Sequence, residues 1–146
     1  MKHLILPFLM IALMTLTGCQ ANSVKVGLQD GKLRPCQDKP NCVCTQDLAE
    51  GRRIEPIRYT GTQDEARERL IMIIRKMDQC TIVTADPNYI HVEFRSPSFE
   101  FVDDSEFLFD DAAKLIHLRS AARTGYYDFG VNRKRMEEIR KRFMGH

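Results

Sequence analysis

The sequence lacks the features that mark several large classes of protein. Its 22 Lys and Arg nearly balance 20 Asp and Glu, which excludes nucleic-acid binding driven by a large excess of positive charge. Eight Gly and six Pro are too few for a collagen-like or low-complexity chain. No P-loop, G-x-G-x-x-G or G-x-S-x-G segment is present. With 43% hydrophobic and 29% charged residues, the 146-residue chain has the composition of an ordinary globular domain.

A hydrophobic run long enough to span a membrane is also missing. The apolar run at residues 4–16 would rise about 20 Å as a helix, short of the roughly 30 Å hydrocarbon core. A short apolar run after a basic start is typical of a secretory signal. Leu16-Thr17-Gly18-Cys19 resembles a bacterial lipobox, in which cleavage precedes Cys19 and its thiol receives a diacylglycerol. The alternative is a plain signal peptide in which Cys19 is incidental.

The lipobox predicts how the chain is divided and where it resides. We expect a signal peptide at residues 1–18, a tether at 19–34 and a single domain at 35–146. Two or three acyl chains on Cys19 would hold the protein stably on a membrane of the bacterial envelope. Because Gln20 rather than Asp follows Cys19, we expect the outer membrane, facing the periplasm, if the host is Gram-negative.

The other cysteines suit an oxidising compartment. Cys36, Cys42, Cys44 and Cys80 allow three disulfide connectivities, and the sequence alone does not choose among them. We favour Cys36–Cys42, with the nearby prolines supplying the bends, and this choice leaves Cys44 to pair with Cys80. A four-thiolate zinc site is the alternative, although C-x5-C-x-C is not the spacing of a zinc ribbon.

The remaining pattern predicts an α+β domain. The capping box at Thr62 and Glu65, followed by apolar residues at helical spacing, predicts a helix over 63–78. Strands are expected at 80–85, 89–95, 99–109 and 114–121, and short turns between them imply an antiparallel meander. An edge strand is expected at 54–59 and a second helix at 133–143, capped by Asn132. The predicted fold is therefore a β-meander of four to five strands with two helices packed on it.

Charge lies in two opposite blocks of the sequence. Residues 93–111 hold seven acids and one Arg, whereas residues 112–146 hold nine Lys and Arg and three acids. A turn at 110–113 that pairs Phe109 with Ile116 places Glu106 opposite Arg119 on the outer face, while Asp103 faces the core. Since a core-facing carboxylate needs cations or donors, we expect an ion network. Its predicted members are Asp103, Asp104, Glu106, Arg119, Arg123, Asn132, Arg133 and Arg135.

This network has a structural and a functional interpretation. In the first, the ion pairs fix the C-terminal loop and helix to the sheet. In the second, Arg123, Arg133 and Arg135, beside the helix start at Asn132, bind an anionic ligand. The Gly-bounded aromatic segment at 125–130 could line a pocket or simply pack on the sheet. We predict no catalytic residue, no cofactor and no metal ligand.

Several motifs resemble the domain-of-unknown-function 1499 family. They are GKL-x-PC at 31–36, PNCV at 40–43, FVDD-x-EF at 101–107, RSA-x-R-x-GY-x-D at 119–128 and GVNRKR at 130–135. The resemblance covers residues 26–143 and implies a small exported, envelope or organelle-associated protein with no established activity or cofactor. Cys44 departs from the family pattern, in which Ser is expected, so the family does not support a bridge from Cys44.

These observations together predict a membrane-anchored lipoprotein whose domain is a binding or accessory module. Its contact surface is expected around Arg119, Arg123 and Arg133, and its partner is an envelope protein or a small anionic ligand. The alternative is a small enzyme or binding protein for an anionic envelope metabolite, with Asp103 or Asp104 as the acid/base. An enzyme predicts an exposed carboxylate of raised pKa at the floor of a pocket, whereas a module predicts a satisfied ion network.

Overall fold

The computed structural model describes residues 25–98 and 101–145, so the predicted signal peptide and Cys19 lie outside the described residues. Eight strands and two α-helices, with a short 3-10 helix at Glu50–Arg52, make up this part of the chain. The strands are β1 (Leu28–Gln29), β2 (Lys32–Leu33), β3 (Cys42–Cys44), β4 (Ile57–Arg58), β5 (Cys80–Ala85), β6 (Tyr89–Arg95), β7 (Val102–Asp110) and β8 (Leu115–Ala122), and the helices are α1 (Gln63–Arg75) and α2 (Val131–Met144).

Six of the strands form one antiparallel sheet, which confirms the predicted α+β class with slightly more strands than expected. The sheet order is β3-β8-β7-β6-β5, and β4 pairs with β8 beside β3. Consecutive strands β5 to β8 form the predicted meander. The register between β7 and β8 pairs Phe109 with Ile116 and Glu106 with Arg119, as the turn at 110–113 predicts.

Both helices pack on one side of the sheet, which we call the helix face. Alternate strand residues, including Ile90, Phe107 and Leu118, point to this face because side chains alternate along a strand. Leu70 of α1 and Met136 of α2 complete a core in which all five side chains are fully buried. Helix α1 begins at its predicted capping box, where Thr62 accepts from the Glu65 amide and Glu65 accepts from the Thr62 amide.

The opposite side of the sheet, which we call the hairpin face, carries the antiparallel pair β1–β2. Leu33 of this hairpin is buried in a small cluster with Cys44 and Leu108. The backbone amide of Gly27 donates to Glu106 on the sheet at 2.6 Å. The last part of the segment expected to be a tether is therefore packed against the domain, and residues 19–24 lie outside the described part.

Two of the four cysteines of the domain form a disulfide. Cys36 and Cys42 are bonded, as predicted, whereas Cys44 and Cys80 are free thiols, so the predicted bridge between them is wrong. Cys44 lies on β3 and Cys80 on β5, at opposite edges of the sheet. Four strand spacings separate these edges by about 19 Å, whereas a disulfide needs Cα atoms within about 7 Å. The disulfide also removes two of the thiolates that the alternative zinc site would need.

No helix within the described residues is long and apolar enough to cross a membrane.

Candidate functional site

The hairpin face buries an ion pair between β7 and β8. Arg119 Nη1 donates to Glu106 Oε2 at 2.6 Å, and both side chains are almost completely inaccessible to solvent. The second carboxylate oxygen of Glu106 accepts from the Tyr89 hydroxyl at 2.7 Å and from the Gly27 amide. Burial and the hydrogen bond to Glu106 raise the pKa of Tyr89 well above its ordinary value, so its hydroxyl remains a donor. The predicted pairing of Glu106 with Arg119 is confirmed, and both side chains are buried. The expected contact surface around Arg119, Arg123 and Arg133 stays a prediction, although Arg119 itself presents no exposed side chain to a partner.

The Glu106–Arg119 pair and its partners Tyr89 and Gly27 form the first ion cluster of the hairpin face. The second ion cluster on this face centres on Asp104, whose side chain is fully buried. Arg123 donates to both of its carboxylate oxygens at 2.7 Å, and Arg123 also contacts Glu93. His91 Nε2 lies 2.7 Å from Asp104 Oδ1. Although burial alone would raise it, the hydrogen bonds from Arg123 and His91 hold the pKa of Asp104 below its ordinary value. Asp104 is therefore a paired carboxylate and lacks the raised pKa expected of a general acid.

Asp104→Asn is expected to lower the free energy of unfolding by about 2–3 kcal/mol at neutral pH, because hydrogen bonds to charged groups are lost. A depressed folded-state pKa stabilises the fold above the unfolded pKa of about 3.9, and that stabilisation is lost as pH falls through the folded pKa. Urea unfolding between pH 7 and pH 2 should therefore show a flatter acid dependence in the variant. Glu138→Gln, in an exposed pair with Arg142, is the matched control. Equal stability of the two variants would contradict this role of Asp104.

Asp103 lies on the helix face, as predicted, and joins the sheet to α2. Its carboxylate accepts from Arg135 Nη2 at 2.9 Å, and Arg135 also lies 4.5 Å from the centre of the Phe94 ring. Arg135 donates further to the Asn132 side-chain oxygen, which also accepts from the hydroxyl of Ser120. This polar chain, in which Ser120 and Asn132 are buried and Asp103 and Arg135 are partly buried, fixes the beginning of α2 against the sheet.

Helix α2 begins earlier than predicted, and a side chain of the protein itself already binds the backbone amides at its beginning. Gly130 rather than Asn132 is the N-cap, and its backbone is in the left-handed region with φ 75°. The Asp128 carboxylate accepts from the backbone amides of Gly130 and Asn132 and from the Asn132 side chain. A carboxylate of the protein therefore already holds the position predicted for an external anion.

The predicted anion site of three arginines is not assembled, which corrects the functional interpretation of the network. Arg123 points to the hairpin face, because it continues the alternation of β8, whereas Arg135 contacts Asp103 on the helix face. Arg133 belongs to neither ion cluster, and its guanidinium group donates to the backbone carbonyls of Gly51 and Arg53 at 2.8 and 2.9 Å. Alternation along a strand and rotation around a helix thus direct the three guanidinium groups to three different places.

Arg133 instead lines an open cleft beside the disulfide, with a volume of about 450 Å³. The disulfide loop, the 3-10 helix and the loop between β8 and α2 form its walls. Asn41 Nδ2 donates to the Gly125 carbonyl at 2.8 Å and so ties the first of these loops to the third. We call this space the disulfide cleft, and its lining includes Lys39, Cys42, Arg52, Tyr126, Tyr127 and Arg133.

The sequence indicated only part of the disulfide cleft. The aromatic segment at 125–130 was one candidate for a pocket lining, and Tyr126 and Tyr127 do line the cleft. Lys39 and Arg52 come from separate segments with no motif of their own, so no sequence signal identifies them. The described residues contain no group of three His, Cys, Asp or Glu side chains placed to hold a metal ion.

Comparison with known proteins places the chain in a family. No curated protein and no solved structure matches it. A family model described as "Protein of unknown function (DUF1499)" matches residues 32–143, which include both ion clusters and the disulfide cleft. The match agrees with the motif resemblance and covers most of the chain. The chain therefore belongs to the domain-of-unknown-function 1499 family.

Proposed function

We propose that this protein is a lipid-anchored envelope protein whose α+β domain is a binding or accessory module. Support for export comes from the apolar run at residues 4–16 and the lipobox that ends at Cys19. The bond between Cys36 and Cys42 fits the same proposal, because structural disulfides are characteristic of oxidising, extracytoplasmic compartments. Acylation at Cys19 holds the domain at the membrane, facing the periplasm in a Gram-negative host.

The pairing of three acids with arginines within the domain is the observation that favours a binding or accessory module over an enzyme. Asp103, Asp104 and Glu106 each have an arginine partner within 2.9 Å. A general acid or base needs a pKa near the working pH, whereas the pKa of Asp104 is lowered. These acids stabilise the domain, and they leave the disulfide cleft as the surface for a partner or ligand.

Replacement of Cys19 by Ala tests the anchor. Cells fed an alkyne-tagged fatty acid should label the parent protein and a Cys80→Ala control, and the label should be absent from Cys19→Ala. Cys80 is a suitable control because it is a free, partly exposed thiol of the same chain. Label that persists in Cys19→Ala, or a parent protein that takes up none, would contradict the proposal.

A further inference from the structure

The disulfide cleft has the dimensions of a site for a small molecule. Ligand sites have volumes of roughly 300–1,000 Å³, and the cleft has about 450 Å³. Its walls are fixed by the Cys36–Cys42 bond, by the contact of Asn41 with Gly125, and by Arg133, which donates to one carbonyl in the 3-10 helix and one just after it. These connections hold three chain segments around one opening.

Cations without acidic partners distinguish this cleft from the two ion clusters. Neither Lys39 nor Arg133 forms an ion pair with any described residue, and both line the cleft. Asp38 and Asp128 also line the cleft, but both are engaged, since Asp128 accepts from the first turn of α2 and Asp38 pairs with Arg52 at 3.1 Å. Three cations (Lys39, Arg52 and Arg133) against these two carboxylates leave one net positive charge in the lining, which favours an anion.

Two tyrosines present ring surface to solvent at the same opening. Tyr126 is 68% exposed and Tyr127 is 57% exposed, although large aromatic side chains normally bury much of their surface. The Tyr127 ring packs edge-on against Phe129 at 5.1 Å between centroids, and Phe129 has a φ of 56°. Positive φ in a bulky residue is strained, and such strain is frequent at ligand-binding loops. The loop thus holds phenol rings beside Lys39 and Arg133, the two cations of the lining that have no carboxylate partner among the described residues.

We propose that the disulfide cleft binds an anionic sugar. The charged lining disfavours a purely apolar ligand, and an isolated phosphate or carboxylate would not use the exposed rings. A sugar acid or sugar phosphate meets both features: its acidic group pairs with Arg133 and Lys39, and the apolar face of its ring stacks on tyrosine. This inference rests on the proposed function, in which the cleft is the contact surface, and names the class of ligand.

Titration of the full-length protein in detergent micelles tests the inference. The probes are glucuronate, N-acetylmuramate and glucose 1-phosphate at millimolar concentration, with glucose and inorganic phosphate as separate arms, followed by saturation-transfer NMR and calorimetry. At least one anionic sugar should bind at least tenfold more tightly than either glucose or inorganic phosphate. Equal binding of glucose would overturn the role of the cations, and equal binding of phosphate would overturn the role of the rings.

Substitutions of lining residues test whether the anionic sugar binds in the disulfide cleft. Arg133→Gln and Lys39→Gln should each weaken it at least fivefold, whereas Arg140→Gln, in an ion pair with Glu137 on the same helix, should leave it unchanged. Tyr126→Ala should weaken binding, and Tyr126→Phe should retain most of it because the ring remains. Lys39 makes no side-chain hydrogen bond that holds the described fold, so its variant serves if Arg133→Gln fails to fold.

The outcomes separate this inference from the proposed function. Failure of all three anionic sugars to bind the folded parent protein overturns the sugar site, while fatty-acid labelling of Cys19 would still support the anchored module. Unchanged binding in both Lys39→Gln and Tyr126→Ala overturns the location in the cleft.

Discussion

Arg119→Met is expected to lower the free energy of unfolding by about 3–5 kcal/mol, because it leaves the buried Glu106 carboxylate without its cation. Met fills a similar volume, so lost packing contributes little to the change. Both side chains are almost completely buried, and the hairpin β1–β2 packs over this face of the sheet. Urea unfolding at pH 7, followed by circular dichroism, measures the difference.

A double variant tests whether the lower stability of Arg119→Met arises from the uncompensated charge of Glu106. In Arg119→Met/Glu106→Gln the uncompensated charge is gone, while the amide oxygen can still accept from Tyr89 and Gly27. The double variant should therefore recover about 1–3 kcal/mol relative to Arg119→Met alone. Arg140→Met breaks an exposed pair and should cost at most about 1 kcal/mol. An Arg119→Met protein as stable as Arg140→Met would contradict the structural role of the buried pair.

Removal of the disulfide is the second large effect. Cys36→Ala/Cys42→Ala should lower the free energy of unfolding by about 2.4 kcal/mol, because the unfolded chain regains the entropy of a short closed ring. Cys42 is buried, so Ala is preferred to Ser, which would place an unpaired hydroxyl in its site. Equilibrium unfolding with and without reductant measures the change.

The free thiols of the same chain provide the control for the disulfide. Cys44→Ala and Cys80→Ala proteins should still lose stability when reductant is added, whereas the double variant should no longer respond to it. A double variant that remains sensitive to reductant would show that a different pair of cysteines is bonded.

The parts of the fold that were predictable are those set by local pattern. The capping box at Thr62 specifies where α1 begins, and the short turn before Ile116 fixes the register of β7 on β8. Once that register is known, the pairing of Glu106 with Arg119 follows from alternation along the strands. These features depend on residues that are close in sequence or joined by one turn.

The features that were missed depend on segments distant in sequence. Polar alternation along β7 indicated a solvent-exposed outer face, whereas a hairpin from the N-terminal segment packs there and Glu106 is buried. The bridge from Cys44 to Cys80 failed because the sheet order sets their strands at opposite edges. The disulfide cleft combines Lys39, Arg52 and Arg133, whose proximity follows only from the tertiary fold.

Mass spectrometry of the intact protein purified from native membranes tests the lipid anchor most directly. We predict a chain that begins at Cys19, carries the added mass of two or three acyl chains, and retains the bond between Cys36 and Cys42. A chain that still carries Met1 and has no lipid mass would contradict the account.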